Sequence, residues 1–164
     1  MTNIIIPGKR PPISAEFICD NVVRLNLFGR TISSSITHLP SIPNLVVGID
    51  FDGVIYPADT EHYESLPLPP ISIFEGELHI ITGRWRKDES MIRDYCQANG
   101  MKVASLKCAP DCSGPPEVLH YKKWILSGFD LYVDDDDEEA KQLSSVVTTI
   151  SLLTRKVYFK GQKL

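Results

Sequence analysis

The feature that most constrains the fold is an alternation of short apolar runs with helix-like stretches between residues 45 and 152. Short, mostly apolar runs are typical of strands that are buried on both faces of a parallel sheet. Such runs occur at residues 45–49, 78–81, 102–106, 129–133 and 146–152. We therefore predict five strands in one mainly parallel sheet.

Helical spacing marks the stretches between the later strands. Residues 88–98 carry Met91, Ile92 and Tyr95 on one helical face and end at Asn99-Gly100, a helix stop signal. We predict further helices over residues 117–126 and 136–143, the latter with acids in its first turn, where the helix dipole favours them. Strands alternating with helices predict an α/β fold.

Two segments stand outside this alternation. Residues 1–43 suggest a small N-terminal β-rich extension, with strands over 16–19 and 22–28 and irregular structure around the serines at 33–35. Residues 57–76 contain four prolines and are interpreted as a loop or short flap. The predicted organisation is thus an extension over 1–43 and a core over 44–164.

Bulk composition narrows the function classes. The formal net charge of −4 argues against bulk electrostatic binding to nucleic acid, but a nucleotide or a nucleic-acid end stays open as a substrate. The run Ile4–Ile6 ends at Pro7, so no secretory signal is expected, and no apolar run approaches the ~20 residues of a membrane span. The four cysteines form no CxxC pair. We expect a soluble, cytoplasmic protein without membrane partners.

Carboxylates follow the first apolar run. Asp50 and Asp52 are two residues apart, and Gly53 would let the chain turn sharply after them. They can point toward one site beyond the strand end, where sites form in parallel sheets. The alternative is an acidic turn that only caps the strand.

Two further candidate groups that could bind phosphate or supply positive charge lie after the second run and within the helix predicted over 117–126. Thr82 and Gly83 offer a hydroxyl and a backbone N–H for a phosphate oxygen, or else form a plain strand-to-helix turn. Lys122 or Lys123 could supply a fixed positive charge, the alternative being a solvated helix face. We prefer Lys122, because Ile125 and Leu126 follow it at helical spacing.

An acidic run follows the fourth predicted strand. Asp134 and Asp135 lie at the strand end, where carboxylate oxygens suit Mg²⁺. Calcium is a competitor, but the run lacks the spaced ligands and central glycine of an EF-hand loop. For residues 137–139 we expect only a solvated, acidic helix start.

Taken in order, these groups resemble the four motifs of the haloacid dehalogenase superfamily. The matching segments are Ile49–Gly53, Ile80–Arg84, Lys122 and Tyr132–Asp135, and the resemblance covers roughly residues 45 to 152. It implies a three-layer sandwich with a Rossmann-like sheet. It also implies a hydrolase of the capless type, because neither cap position holds a domain-sized insertion.

The resemblance implies a role for each matching residue. Asp50 would be the nucleophile that forms an aspartyl-phosphate, and Asp52 the general acid and base. Lys122 would stabilise negative charge, while Thr82 and Gly83 would bind the phosphoryl group. Mg²⁺ would be the cofactor, held by Asp50, the Asp52 carbonyl, Asp134 and Asp135.

The substrate stays open at this stage. A phosphorylated small molecule, a nucleotide and a nucleic-acid end are all candidates, because specificity lies in loops with no shared code. A second hypothesis is a catalytically idle domain of the same fold that binds a partner through residues 1–43. The pair Asp50 and Asp52 argues against it, since an idle domain has no chemical need for both.

Overall fold

The computed structural model describes residues 2–4, 13–19, 22–27, 30–35, 38–39, 46–56, 73–74 and 78–161. The strands, in chain order, are β1 (Thr2–Ile4), β2 (Ile13–Cys19), β3 (Val22–Leu27), β4 (Arg30–Ser35), β5 (His38–Leu39), β6 (Val47–Ile49), β7 (Ile73–Phe74), β8 (Leu78–Trp85), β9 (Val103–Ala109), β10 (Leu131–Asp134), β11 (Thr148–Ser151) and β12 (Lys156–Tyr158). The α-helices are α1 (Glu89–Ala98), α2 (Pro115–Leu126) and α3 (Asp137–Leu143), and a 3₁₀ turn over Arg86–Asp88 leads into α1.

The central sheet has six strands in the order β12-β11-β10-β6-β8-β9. All neighbouring pairs are parallel except β11 and β12, which are antiparallel. The described part of the chain therefore forms an α/β fold with a mainly parallel sheet and three helices, which confirms the predicted α/β class.

Two clusters of buried side chains cover the sheet. Alternate residues of one strand belong to different clusters: Ile80 lies in the first and Ile81 in the second. The first cluster includes Ile92 and Cys96 of α1. The second includes Leu126 of α2 and, from α3, Leu143. This alternation is what a strand buried on both faces requires.

The N-terminal strands form a separate four-stranded sheet in the order β1-β2-β3-β4, antiparallel throughout. The predicted strands over 16–19 and 22–28 correspond to β2 and β3, while their Asp20-Asn21 turn lies outside the described residues. The irregular structure expected around the serines at 33–35 was wrong. β4 pairs with β3 from Val22–Ser35 to Leu27–Arg30, and this continuous ladder outweighs the low strand propensity of serine.

Several boundaries also differ from the predictions, and one strand was not predicted. β8 continues to Trp85 because β9 pairs with it as far as Ala109, across an irregularity after Thr82. α2 begins at Pro115, since the first helical positions need no intrahelical N–H donor. β12 lies beyond the last predicted strand.

Most of the proline-containing stretch 57–76 lies outside the described residues; within it, β7 pairs in parallel with β5. Among the described helices, none has the length and apolar character needed to cross a membrane.

Candidate active site

The order of the strands creates a crevice at the carboxyl end of β6. Within the sheet, β8 and β9 lie on one side of strand β6, whereas β10 and β11 lie on its other side. Loops that leave neighbouring strands in opposite directions open a space at such a switch point. Asp50 directly follows β6, and its backbone N–H donates to the Val133 carbonyl of β10 at 3.0 Å.

Asp50 and Lys122 form a buried ion pair beside this crevice. Lys122 Nζ donates to Asp50 Oδ2 at 3.0 Å, and Asp50 Oδ1 accepts from the Phe51 N–H at 2.7 Å. The exposed fraction is 1% for Lys122 and 7% for Asp50. Burial of a charged lysine needs a partner of this kind, so helix α2 delivers a positive charge to the end of β6.

The structure separates the two candidate lysines. Lys122 is buried and lies over the Tyr132 ring, with Nζ 5.6 Å from its centroid, whereas Lys123 is half-buried. Leu126, one turn after Lys122, is buried in the second cluster. The apolar spacing on which the preference for Lys122 rested thus marks the face of α2 that packs on the sheet.

Glu139 is the main residue that the sequence reasoning missed. Its Oε1 lies 2.6 Å from Lys122 Nζ, so the expectation of a purely solvated helix start is wrong for this residue. Asp136 caps α3 by accepting from the Glu139 N–H at 3.0 Å. Leu143 is buried four residues later, and residues four apart share a helix face. That spacing is the sequence signal that could have located Glu139.

Three carboxylates converge at the site: Asp50, Asp134 and Glu139 each place one ligand oxygen within 4.8 Å of the other two. Asp134 is fully buried; its Oδ1 accepts from the Asp136 N–H at 3.0 Å, while its Oδ2 has no hydrogen-bond partner among the described residues. A buried carboxylate oxygen without a partner is costly. The donor set is therefore suited to a cation that takes oxygen ligands.

Asp135, the second predicted ligand at the end of β10, contacts the turn after β6. A Cβ added at Gly53 would come within 2.1 Å of Asp135 Oδ2, so the turn after β6 and the end of β10 are in close contact. Gly53 has φ +74°, a conformation that favours glycine. Among described residues, Asp135 is not one of the three converging carboxylates, and its role as a metal ligand stays a prediction.

The ionisable groups of the site influence one another. Three carboxyl groups lie close together among the described residues, and two of them, Asp50 and Glu139, pair directly with the Lys122 ammonium. Burial raises the pKa of Asp50 to about 7, with Lys122 opposing the shift and Glu139 adding to it. Burial likewise raises the pKa of Asp134. For Lys122 burial acts the other way, but Asp50 and the other acids keep its pKa well above the usual value.

Thr82 and Gly83 lie on β8, next to β6. Thr82 is buried, and its Oγ1 accepts from the Arg84 N–H at 3.1 Å. A Cβ at Gly83 would come 3.0 Å from Val118 Cγ1, so a side chain there would press on α2. Val118 and Glu139 help to line a cavity of about 250 Å³ between α2 and α3. No described contact tests the predicted binding of phosphate by Thr82 and Gly83.

Asp52 contacts Arg84, a residue of the matching segment Ile80–Arg84 for which we predicted no role. Arg84 Nε donates to Asp52 Oδ2 and Arg84 Nη2 to Asp52 Oδ1, both at 2.8 Å. Asp52 is half-exposed, unlike Asp50. Asp50 and Asp52, which are two residues apart, thus differ in burial and in the basic residue that each one contacts.

Comparisons with protein-family models, with curated proteins and with solved structures return no significant match. The functional argument for this chain therefore depends on its own residues and their geometry.

Proposed function

We propose that this protein is a Mg²⁺-dependent phosphatase that cleaves a phosphomonoester through an aspartyl-phosphate on Asp50. The observation that carries the proposal is the buried pair of Asp50 and Lys122 at the end of the central strand, with Asp134 and Glu139 converging on it. The haloacid dehalogenase resemblance, the three-layer arrangement and the Rossmann-like sheet are part of the same proposal. The strand order and the two core clusters support it.

Asp50 is suited to be the nucleophile. In the first step a carboxylate oxygen of Asp50 attacks phosphorus, a P–O bond to Asp50 forms, and the P–O bond to the leaving group breaks. Lys122 remains beside Asp50 and stabilises the negative charge that spreads over the phosphoryl oxygens. The Phe51 N–H on Asp50 Oδ1 limits rotation of the carboxylate.

Asp52 is suited to move the protons. It gives its proton to the leaving oxygen as that bond breaks, so the product is an alcohol. In the second step a water oxygen attacks phosphorus and Asp52 takes a proton from that water. The bond between phosphorus and the Asp50 oxygen then breaks, which releases inorganic phosphate. Asp50 is again a free carboxylate, and Asp52 again carries a proton.

The residues present fit a divalent cation. Asp50, Asp134 and Glu139 would hold it together with the Asp52 carbonyl, and the buried Asp134 Oδ2 is an acceptor without a partner in the described structure. When bound, Mg²⁺ neutralises negative charge between the nucleophile and the phosphate and orients them. The predicted ligand Asp135 stays part of the proposal, and Glu139 is added to it because Glu139 converges with Asp50 and Asp134.

A phosphorylated small molecule, a nucleotide and a nucleic-acid end remain the candidate substrates. Phosphate release from 4-nitrophenyl phosphate, with and without Mg²⁺, tests the chemistry without knowledge of the natural substrate. We expect Mg²⁺-dependent release by the wild type and loss of at least ~10³-fold for Asp50→Asn, because a covalent step cannot proceed without its nucleophile. Borohydride reduction during turnover should convert residue 50 to homoserine, detectable by mass spectrometry of peptides.

Asp94→Asn is the matched control, because Asp94 is an exposed carboxylate on α1. It should keep wild-type activity, and both variants should keep the wild-type circular dichroism spectrum. Release that survives in Asp50→Asn, or a modified residue other than Asp50, would refute the proposed nucleophile. No release from any of the candidate phosphoester classes, with Mg²⁺ bound, would favour the idle binding module instead.

A further inference from the structure

We propose that Arg84 is a positioning residue that holds the carboxylate of Asp52 in place for proton transfer, a role that rests on the proposed phosphatase function. Arg84 follows Thr82 and Gly83 on β8, whereas Asp52 lies in the turn after β6. The two residues meet at the carboxyl ends of neighbouring strands, beside the crevice that contains Asp50.

The contact is a two-point pair, which is an ion pair while Asp52 is ionised, before it takes from water the proton that it later gives to a leaving oxygen. Each oxygen of the Asp52 carboxylate accepts one N–H of the Arg84 guanidinium at 2.8 Å. Two parallel hydrogen bonds fix the plane of a carboxylate as well as its distance, which a single contact cannot do. Arginine is needed for this, because a lysine ammonium offers no planar fork.

Aromatic rings hold the guanidinium from another side. The Arg84 guanidinium carbon lies 5.6 Å from the Phe51 ring centroid and 5.4 Å from that of Tyr56, and these two rings stack at 5.0 Å. Tyr95 of α1 meets both rings edge-on and donates its hydroxyl to the Ile55 carbonyl at 3.0 Å. Packing against these rings thus helps to position Arg84 independently of its contact with Asp52.

The backbone around Asp52 is fixed as well, but its side chain is not. The Gly53 N–H donates to the Tyr56 carbonyl at 2.8 Å, and the Ile55 and Tyr56 N–H groups donate to the Phe51 carbonyl at 3.1 and 2.9 Å. The Asp52 side chain remains 43% exposed. A half-exposed carboxylate samples several rotamers, whereas a general acid must stay within about 3 Å of the oxygen that it protonates. Arg84 supplies the missing constraint.

Two other roles for Arg84 make different predictions. An ordinary surface ion pair contributes little to stability and does not distinguish between substrates. An arginine that binds the substrate phosphate affects every phosphomonoester to a similar extent. A residue that acts through the general acid matters most when the leaving group needs a proton.

A leaving-group comparison separates these roles. 4-Nitrophenolate leaves readily without a proton, whereas phenolate is a poorer leaving group. The parameter to measure is kcat/KM, because it reports the first chemical step and not hydrolysis of the aspartyl-phosphate. For Arg84→Ala we expect a ~10- to 100-fold loss with phenyl phosphate and less than ~3-fold with 4-nitrophenyl phosphate.

Further variants test whether the effect passes through Asp52. In an Asp52→Asn background, Arg84→Ala should cause no further loss, the signature of two coupled residues. Millimolar guanidinium should restore phenyl phosphate hydrolysis by Arg84→Ala but not by the double variant. Arg84→Lys should fall between wild type and Arg84→Ala with phenyl phosphate. Arg93→Ala is the control, since it removes the same charge from an exposed ion pair with Glu89. It should leave kcat/KM unchanged for both substrates.

The outcomes are distinguishable. Equal losses with both substrates, or a loss that persists in the Asp52→Asn background, would overturn the positioning role while leaving the phosphatase intact. Absence of hydrolysis by the wild type itself would overturn the proposed function and this role with it. Circular dichroism and thermal unfolding of each variant exclude loss of the fold as the cause.

Discussion

Lys122 is a buried charged residue whose ionisation depends on the carboxylates around it. Its ammonium is almost fully buried and contacts both Asp50 and Glu139. Moving such a charge out of water is costly, and the neighbouring carboxylates offset that cost. If Lys122 is removed, the carboxylates lose the positive charge that offsets their own burial.

Lys122→Met should therefore lower the free energy of unfolding by about 3–5 kcal/mol, because it breaks a buried ion pair on one side only. Urea denaturation at neutral pH measures the change. The added substitution Asp50→Asn should recover part of the loss, since it removes one of the unpaired carboxylates. Lys123→Met is the control and should cost less than about 1 kcal/mol. Equal costs for the two single variants would contradict the ion-pair account.

The turn after β6 is the element that places the two proposed catalytic acids at the carboxyl end of this strand. Gly53 allows this turn through its positive φ and through its lack of a side chain against Asp135. Gly100, after α1, has nearly the same φ of +69°, but a Cβ there would meet nothing within 4 Å. The two glycines therefore separate the cost of conformation from the cost of contact.

Gly100→Ala should cost about 1–2 kcal/mol of unfolding free energy, the penalty for a left-handed residue. Gly53→Ala should cost more, because the turn or Asp135 must also move, and phosphatase activity should fall with it. Thermal unfolding and 4-nitrophenyl phosphate hydrolysis measure the two effects. Similar costs at both positions, with activity retained, would show that Asp135 yields freely.

Asp137 connects helix α3 to the end of the sheet, so the expectation of a solvated helix start is wrong for this residue too. Its Oδ1 accepts from Thr154 Oγ1 and from the Tyr158 hydroxyl, each at 2.6 Å, and Lys141 Nζ lies 3.3 Å from its Oδ2. Burial opposes ionisation, but these contacts outweigh it and lower the pKa of Asp137 to about 2. The ionised carboxylate thus connects the first turn of α3 to β12 and to the turn before it.

A carboxyl group with a lowered pKa stabilises the fold above its unfolded pKa, and this contribution is lost as pH falls toward the folded value. Asp137→Asn should therefore lower the free energy of unfolding by about 1–3 kcal/mol at pH 7. The difference from wild type should shrink as pH falls from about 4 toward 2. Urea denaturation across this range measures it, with Asp94→Asn as the control. A difference that does not depend on pH would contradict the hydrogen-bond account.

Across the whole molecule, the site joins both halves of the sheet. Asp50 follows β6, Asp134 ends β10, Lys122 comes from α2 and Glu139 from α3. A cation bound to Asp50, Asp134 and Glu139 would contact two segments that are distant in the chain, and it would bind the folded protein alone. The division into residues 1–43 and 44–164 stays a prediction.

Mg²⁺ should raise the thermal unfolding midpoint in proportion to ln(1 + [Mg²⁺]/Kd), because a ligand of the folded state alone stabilises it by mass action. The gain should be larger at pH 8 than at pH 5.5, since the pKa of Asp50 is near 7 and protons compete with the cation below it. Differential scanning calorimetry measures both effects.

Glu139→Gln should weaken this response to Mg²⁺, whereas Glu138→Gln, a change to an exposed neighbour, should leave it unchanged. A response that is equal in both variants would remove Glu139 from the cation site. An unchanged midpoint in the wild type at all Mg²⁺ concentrations would argue against a resident cation.

Local patterns were sufficient to predict the strand and helix alternation, the parallel sheet and the position of Asp50 at a strand end. Each depends on residues close in sequence, on hydrophobic periodicity or on turn chemistry. The preference for Lys122 over Lys123 also came from local spacing, because the face of α2 that packs on the sheet is apolar one turn later.

Contacts between distant segments could not be predicted in this way. The pairing of Glu139 with Lys122 and that of Arg84 with Asp52 each depend on a partner elsewhere in the chain. A charged residue at a helix start looks the same in sequence whether it faces water or a buried ammonium. Only the packing of α3 beside α2 brings Glu139 to Asp50, so the tertiary structure decides which acids of the run 134–139 belong to the site.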